Sequence, residues 1–264
     1  MKFRYILILL SSLWLHKAQA QDTLAIANVQ QITCMSIDAK GNYFIADNQN
    51  SLLKYNAAGE LITNVNIKSY GVISHIDCSN PFELYVFYQE QNIIVFYDNM
   101  LNLRGEIRLN DHYFNNVSCI ARSFDNNIWL IDLSEYKLLK IDKKGKILLE
   151  TPYLNNILGS EIAPYKIWEY KNKVLIADSL MGIHQLDMNG TYTTTYYFSG
   201  ATSACSRNDA LYVLRADSMF RYHIVLSEPV VLYPNMPIQS TIICHQNRLF
   251  TFQENKIISY PADL

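Results

Sequence analysis

A unit of about forty residues that recurs from Ile32 to the C-terminus constrains this chain more than any other feature. Its best copy, Ile32 to Ile62, reads ITCMSIDAKGNYFIADNQNSLLKYNAAGELI, three short strands separated by polar turns. Second strands recur as Tyr43 to Asp47, Leu84 to Tyr88, Ile128 to Asp132, Val174 to Asp178, Leu211 to Arg215 and Arg248 to Phe252. Measured between strand ends, from Asp47 through Tyr88, Asp132, Asp178 and Arg215 to Gln253, the steps are 41, 44, 46, 37 and 38 residues. A unit this short cannot bury its apolar faces alone and must stack on copies of itself. Six units fill the chain from residue 21 to 264, which predicts one all-β domain, a six-bladed β-propeller of four-stranded antiparallel blades.

Turn chemistry keeps the same phase. Asn56-Ala-Ala-Gly59, Asp142-Lys-Lys-Gly145 and Asp187-Met-Asn-Gly190 each follow a third strand. Asp or Asn opening a type I turn, with Gly left-handed three residues on, suits a tight hairpin. The fourth strands, such as Glu60 to Ile67 and Tyr192 to Phe198, are of mixed polarity, as half-solvated outer strands should be. The sixth unit ends at Tyr260-Pro261-Ala-Asp-Leu264 without room for an outer strand, while Thr23 to Ala27 is a spare one. The N-terminal strand is therefore expected to complete the last blade. No helix is expected after residue 20.

The stretch MSIDAKGNYFIADNQNSLLKYNAAGELI resembles an NHL repeat, whose pattern is an apolar strand, D-x-x-GN, a strand ending in AD, a further apolar strand and a turn closing on Gly. The third and fourth units keep IWLID and VLIAD, and the others keep the spacing. The resemblance implies a propeller. It leaves function open, because NHL-like propellers serve as protein-binding, RNA-binding and enzymatic domains.

Lys2 and Arg4, the apolar run Tyr5 to Leu15 and Ala18-Gln19-Ala20 read as a secretory signal peptide over residues 1–20, cleaved near Ala20. No later run is long and apolar enough to span a membrane. The expected location is periplasmic or secreted. Without residues 1–20 the chain has 19 basic and 24 acidic side chains and a net charge of −5, with no Lys/Arg run, which argues against nucleic acid as a partner. The five cysteines, Cys34, Cys78, Cys119, Cys205 and Cys244, all fall in or just after first strands. An odd number leaves at least one unpaired within the chain; buried thiols are the expectation, and spacing does not define a disulfide.

No H-x-H, H-E-x-x-H or C-x-x-C spacing occurs, and no cofactor is indicated. First strands line a propeller's channel, so His75, Asp77, His245 and Asp38 are the candidates there for a metal or acid/base site. Gluconolactonase-like six-bladed enzymes hold a divalent metal with Glu, Asn and Asp, and no residue here matches that set by motif. Asp47-Asn-Gln-Asn50 opens like a calcium loop but lacks its Gly and its final Glu, and reads as an Asx turn. The connectors from each fourth strand to the next first strand carry aromatics: Tyr70, Tyr113 and Phe114, Tyr153 and Tyr165, Tyr197 and Phe198, and Tyr233. Loops on a rigid scaffold often carry function, and Tyr offers a large amphipathic contact. The expectation is a non-catalytic binding or scaffold module of the cell envelope that recognises a protein, peptide or glycan through this aromatic loop face. The alternative is a metal-dependent lactonase or hydrolase-like enzyme with a channel site.

Overall fold

The computed structural model describes residues 21–224, 228–237 and 241–262. The signal-peptide reading lies outside the described residues. Strand β1 (Asp22–Ala25) precedes the first blade, formed by β2 (Ile32–Ile37), β3 (Tyr43–Asp47), β4 (Ser51–Tyr55) and β5 (Leu61–Asn66). The second blade holds β6 (His75–Asn80), β7 (Glu83–Tyr88), β8 (Ile93–Asp98) and β9 (Leu103–Arg108). The third holds β10 (Val117–Arg122), β11 (Ile128–Asp132), β12 (Lys137–Ile141) and β13 (Ile147–Glu150). The fourth holds β14 (Pro164–Glu169), β15 (Lys173–Asp178), β16 (Gly182–Asp187) and β17 (Tyr192–Tyr197). The fifth holds β18 (Ala201–Arg207), β19 (Ala210–Arg215), β20 (Ser218–His223) and β21 (Pro229–Tyr233). The last has β22 (Ile243–His245), β23 (Arg248–Gln253) and β24 (Lys256–Pro261), and β1 is its fourth strand.

That pairing closes the ring as the sequence predicts. Asp22 faces Ser259 and Ala25 faces Lys256, antiparallel. Ile26 N–H then donates to the Asn255 carbonyl (2.8 Å), and Ile32 N–H to the Glu254 carbonyl (2.7 Å). Ile26 and Val29 sink into the core between the last and first blades.

The six cores belong to the junctions between blades. Phe44 and Leu52 of the first blade pack on Ile76 and Val86 of the second, and Trp129 and Leu138 of the third on Ile167 and Ile176 of the fourth. Middle strands are covered on both faces, so IWLID and YFIAD are buried at every position. Outer strands are partly solvated: β5 opens with Leu61 and Ile62 both exposed and then alternates half-buried Thr63 and Val65 with exposed Asn64 and Asn66. Polar latches run between blades as well: Tyr85 OH donates to the Asn126 carbonyl (2.8 Å), Tyr212 OH to the Ala262 carbonyl (3.2 Å), and Trp129 Nε1 to Glu169.

The turns have the expected chemistry. Asn56, Asp142 and Asp187 each accept two backbone N–H groups at 2.8 to 3.0 Å, with a left-handed Gly closing each turn. Asp47 accepts from Gln49 N–H (2.9 Å) and Ser51 N–H (2.8 Å), the Asx turn read from the sequence.

The expectation of no helix needs correction. Among the described residues three connectors wind into single turns: Lys68–Tyr70 and Leu109–His112 as 3-10 turns, and Leu154–Leu158 as α1. Each turn seats one side chain in a junction, Tyr70, Leu109 and Leu154.

Candidate functional site

Strand direction defines two faces. In each blade the first strand begins where the connector from the previous blade ends, on what is here called the upper face, along with the turns between second and third strands. The turns between first and second strands lie on the lower face, with those between third and fourth.

At the upper end, four first strands carry a one-residue bulge at the same phase, which sets aside Thr33, Ser118, Tyr165 and Thr202. Ser74 stands at the same upper end, just before β6. Thr33 Oγ1 donates to the Ala46 carbonyl (3.2 Å), Ser74 Oγ to Phe87 (2.8 Å), Ser118 Oγ to Ile131 (3.4 Å) and Thr202 Oγ1 to Leu214 (3.4 Å). At three of the four bulges, Thr33, Ser118 and Thr202, the hydroxyl ties the set-aside residue back to the second strand, whereas the Tyr165 hydroxyl has no such partner. Thr33, Ser74, Thr202 and Thr241 also line a central cavity of about 570 Å³.

Further down that cavity stand Cys34, His75, Asp77 and Lys166. Lys166 Nζ reaches to the next blade and donates to the Ala204 carbonyl (2.7 Å). Burial in the channel wall pushes its ammonium down to about 8. Burial likewise pushes the Cys34 thiol up to about 11 and His75 below the usual imidazole range, with the Asp77 carboxylate partly opposing the latter. Burial alone would raise Asp77, yet the His75 imidazole and hydrogen bonds from Ser79 and the Arg122 N–H hold it below the usual carboxylate range.

The predicted channel candidates are therefore only partly together. His75 and Asp77 share the cavity, whereas Asp38 closes a lower turn through Lys40 N–H (2.8 Å) and Asn42 N–H (2.9 Å). His245 lies edge-on to Phe250. Among the described residues, no three His, Cys, Asp or Glu side chains are grouped so as to hold a metal ion.

Cys205 and Cys244 form a disulfide between the first strands β18 and β22, in the channel wall. Cys34, Cys78 and Cys119 are free thiols.

The aromatic connectors divide into three groups. Tyr70, Phe114, Phe198 and Tyr233 are buried in the blade junctions, with Tyr233 OH donating to the Pro261 carbonyl (2.8 Å). Tyr165 lines the channel. Tyr113, Tyr153 and Tyr197 stand out from the upper face, 86%, 47% and 73% exposed, on three consecutive connectors.

Sequence reasoning missed a pair on the lower face. Phe82 and Phe124, in the first-to-second-strand turns of adjacent blades, are 81% and 76% exposed. They line a cleft of about 510 Å³ with Ser79, Asn80, Asn126, Arg122 and Glu169. Ser79, Arg122 and Glu169 also line the central cavity, so the cleft is the channel's lower mouth. Its polar side chains are fixed. Arg122 donates to the Glu83 carbonyl (2.7 Å) and stacks 3.5 Å from the Tyr85 ring centre, and Glu169 accepts from Ser123 Oγ (2.6 Å) and Phe124 N–H (2.8 Å). The available signal was an aromatic residue beside a turn, Pro81-Phe82 and Ser123-Phe124-Asp125, in two neighbouring units.

The geometry defines a six-bladed β-propeller, and solved structures agree. No family profile and no curated protein sequence matches the chain. In fold it is similar to virginiamycin B lyase from Staphylococcus aureus, with a TM-score of 0.67 and 15% identity over 92% of this chain and 99% of that one. A protein from Bacteroides fragilis inferred to be exported superposes with a TM-score of 0.68 at 12% identity, over 91% of this chain and 94% of that one. A protein of unknown function from Bacteroides thetaiotaomicron superposes at 0.67 and 10%, over 92% and 76%. At such identities the likeness concerns the fold.

Proposed function

We propose that this is a non-catalytic binding module of the cell envelope, and that its principal recognition site is the lower-face cleft between Phe82 and Phe124. The observation that carries the reading is two large aromatic rings held in water above immobilised polar groups. Exposed aromatics around a concave polar floor are the composition of a binding site, and their exposure has no folding benefit to offset it. A glycan or peptide chain fits: the rings cover its apolar faces, while Asn80, Asn126 and Arg122 meet its polar groups. Tyr113, Tyr153 and Tyr197 give the upper face a second contact surface for a protein partner. The signal-peptide-like N-terminal sequence and the NHL-like repeat pattern agree with this reading. The enzymatic alternative would need a ligand set in the channel, where His75 and Asp77 are the two of its sequence candidates that share the cavity.

The test pairs a crosslinked pulldown from cell envelope with a glycan and peptide array, using wild type, Phe82→Ala/Phe124→Ala and Tyr113→Ala/Tyr153→Ala/Tyr197→Ala. Losing an anchoring aromatic typically costs about 2 kcal/mol or more, roughly 30-fold in Kd. The double variant should lose the ligand by at least that factor with its melting unchanged. Undiminished binding would remove the cleft from consideration.

A further inference from the structure

The central channel carries opposite charges that do not meet. The Lys166 ammonium and the Asp77 carboxylate line the same cavity of about 570 Å³. Both are ionised at pH 7, with Lys166 at about 8 and Asp77 held below the usual carboxylate range. Among the described residues, neither takes part in an ion pair. The ring explains why. First strands follow one another in blade order around the bore, so β6 of the second blade stands opposite β18 of the fifth. Asp77 belongs to β6, and Lys166 Nζ is tied to β18 through the Ala204 carbonyl. Register also sets their heights. Lys166 and His75 take the same place in their blades, opposite Ala177 and Phe87, so Asp77 stands two residues lower and Glu169, the cavity's other carboxylate, three. Arg122 is paired with Glu83, and burial disfavours a charge on His75.

The bore is thus cationic above on one wall and anionic below on the other. Each charge keeps capacity for a guest. An ammonium has three donors, of which Lys166 uses one; a carboxylate has about four acceptor sites, and Asp77 fills three with Ser79 N–H, Ser79 Oγ and the Arg122 N–H. A guest that fills the bore displaces the water around both charges. A neutral guest leaves both buried without a partner and a simple acid or amine leaves one, which is costly; a molecule charged oppositely at its two ends leaves neither. We propose that the central channel binds a short peptide with both termini free, its carboxylate paired with Lys166 Nζ and its ammonium with the Asp77 carboxylate. The two walls select a peptide over a single amino acid, since each residue adds roughly 3.3–3.6 Å of reach. The cavity lies within the range of small-molecule sites, roughly 300–1,000 Å³, and Trp168, Ile243 and Phe252 supply apolar wall for the peptide's side chains. This site goes beyond the cleft of Phe82 and Phe124 and does not rest on it.

The experiment is isothermal titration calorimetry at pH 7 with alanyl-phenylalanine and alanyl-alanyl-phenylalanine, each free, N-acetylated, C-terminally amidated and capped at both ends. At least one free peptide should bind, and either single cap should weaken it about 10-fold or more, the loss of one charge-assisted contact. Lys166→Met should bind the free acid and its amide equally, and Asp77→Asn the free amine and its acetylated form. Absence of heat with both free peptides, or capped forms that bind as well as the free ones, would overturn the proposal and leave the cleft reading where it stands. Variants that discriminate between free and capped ends as wild type does would overturn it as well. Should either variant fail to fold, the capping series on wild type decides the matter alone.

Discussion

Single residues show where this ring is strained and where the sequence conceals its repeat. Lys166 is a charge folded at a disadvantage. Its folded value of about 8 lies below the unfolded 10.5, so between those values the unfolded chain binds the extra proton and stability rises with pH. The handicap is complete below pH 8 and fades towards 10.5. Lys166→Met should therefore melt higher than wild type at pH 7, with the gap closing between pH 8 and 10, and an unvarying gap would contradict the assignment. Gly182 is fixed for a different reason: φ is +136°, and a Cβ there would fall on the Tyr196 carbonyl oxygen and the Phe198 nitrogen. Gly182→Ala should lose at least about 2 kcal/mol in urea unfolding. Leu101 explains a weak copy. In the second blade Asp98 opens the usual turn, accepting from Met100 and Asn102 N–H (2.9 Å each), but Leu101 takes the left-handed place at φ +63°. Its side chain is buried in the junction, which offsets the backbone strain. A search for Asp-x-x-Gly passes over that turn.

At the scale of strands and connectors, the legible parts were those with a period. Second strands such as IWLID and VLIAD are buried on both faces and read as apolar runs, so their positions were plain in the sequence. The fate of the connector aromatics was not, because Tyr113 and Phe114 are adjacent in sequence and the turn at Leu109–His112 sends one outward and the other into the core. The same holds for Tyr197 and Phe198. Nor was the disulfide legible: Cys119 has the same relation to its first strand as Cys34, while Cys205 and Cys244 meet only because β18 and β22 are neighbours in the ring. That bond closes a span of 39 residues. Chain-entropy arguments put its contribution at about 4 kcal/mol. Cys205→Ser/Cys244→Ser should lower the urea midpoint accordingly, and wild type in reductant should follow it.

For the whole molecule, stability rests on closure. Deleting residues 21–29 removes β1 from β24 and takes Ile26 and Val29 from the last junction. Burial of each such side chain contributes about 1.5–3 kcal/mol, and losing both should lower Tm by on the order of 10 °C, as a single transition seen by circular dichroism. An unchanged Tm would mean that the ring does not need its clasp. The clasp also has a mechanical character. Because β1 runs antiparallel to β24 with Asp22 opposite Ser259, both chain ends leave the same end of the strand pair. A load on the two termini would peel that pair apart one hydrogen bond at a time, whereas shear would load all the bonds together. Optical tweezers pulling on the two ends should therefore open the ring at low force. The next step should be stiffer, since the Cys205–Cys244 bond still ties the opened blade to its neighbour.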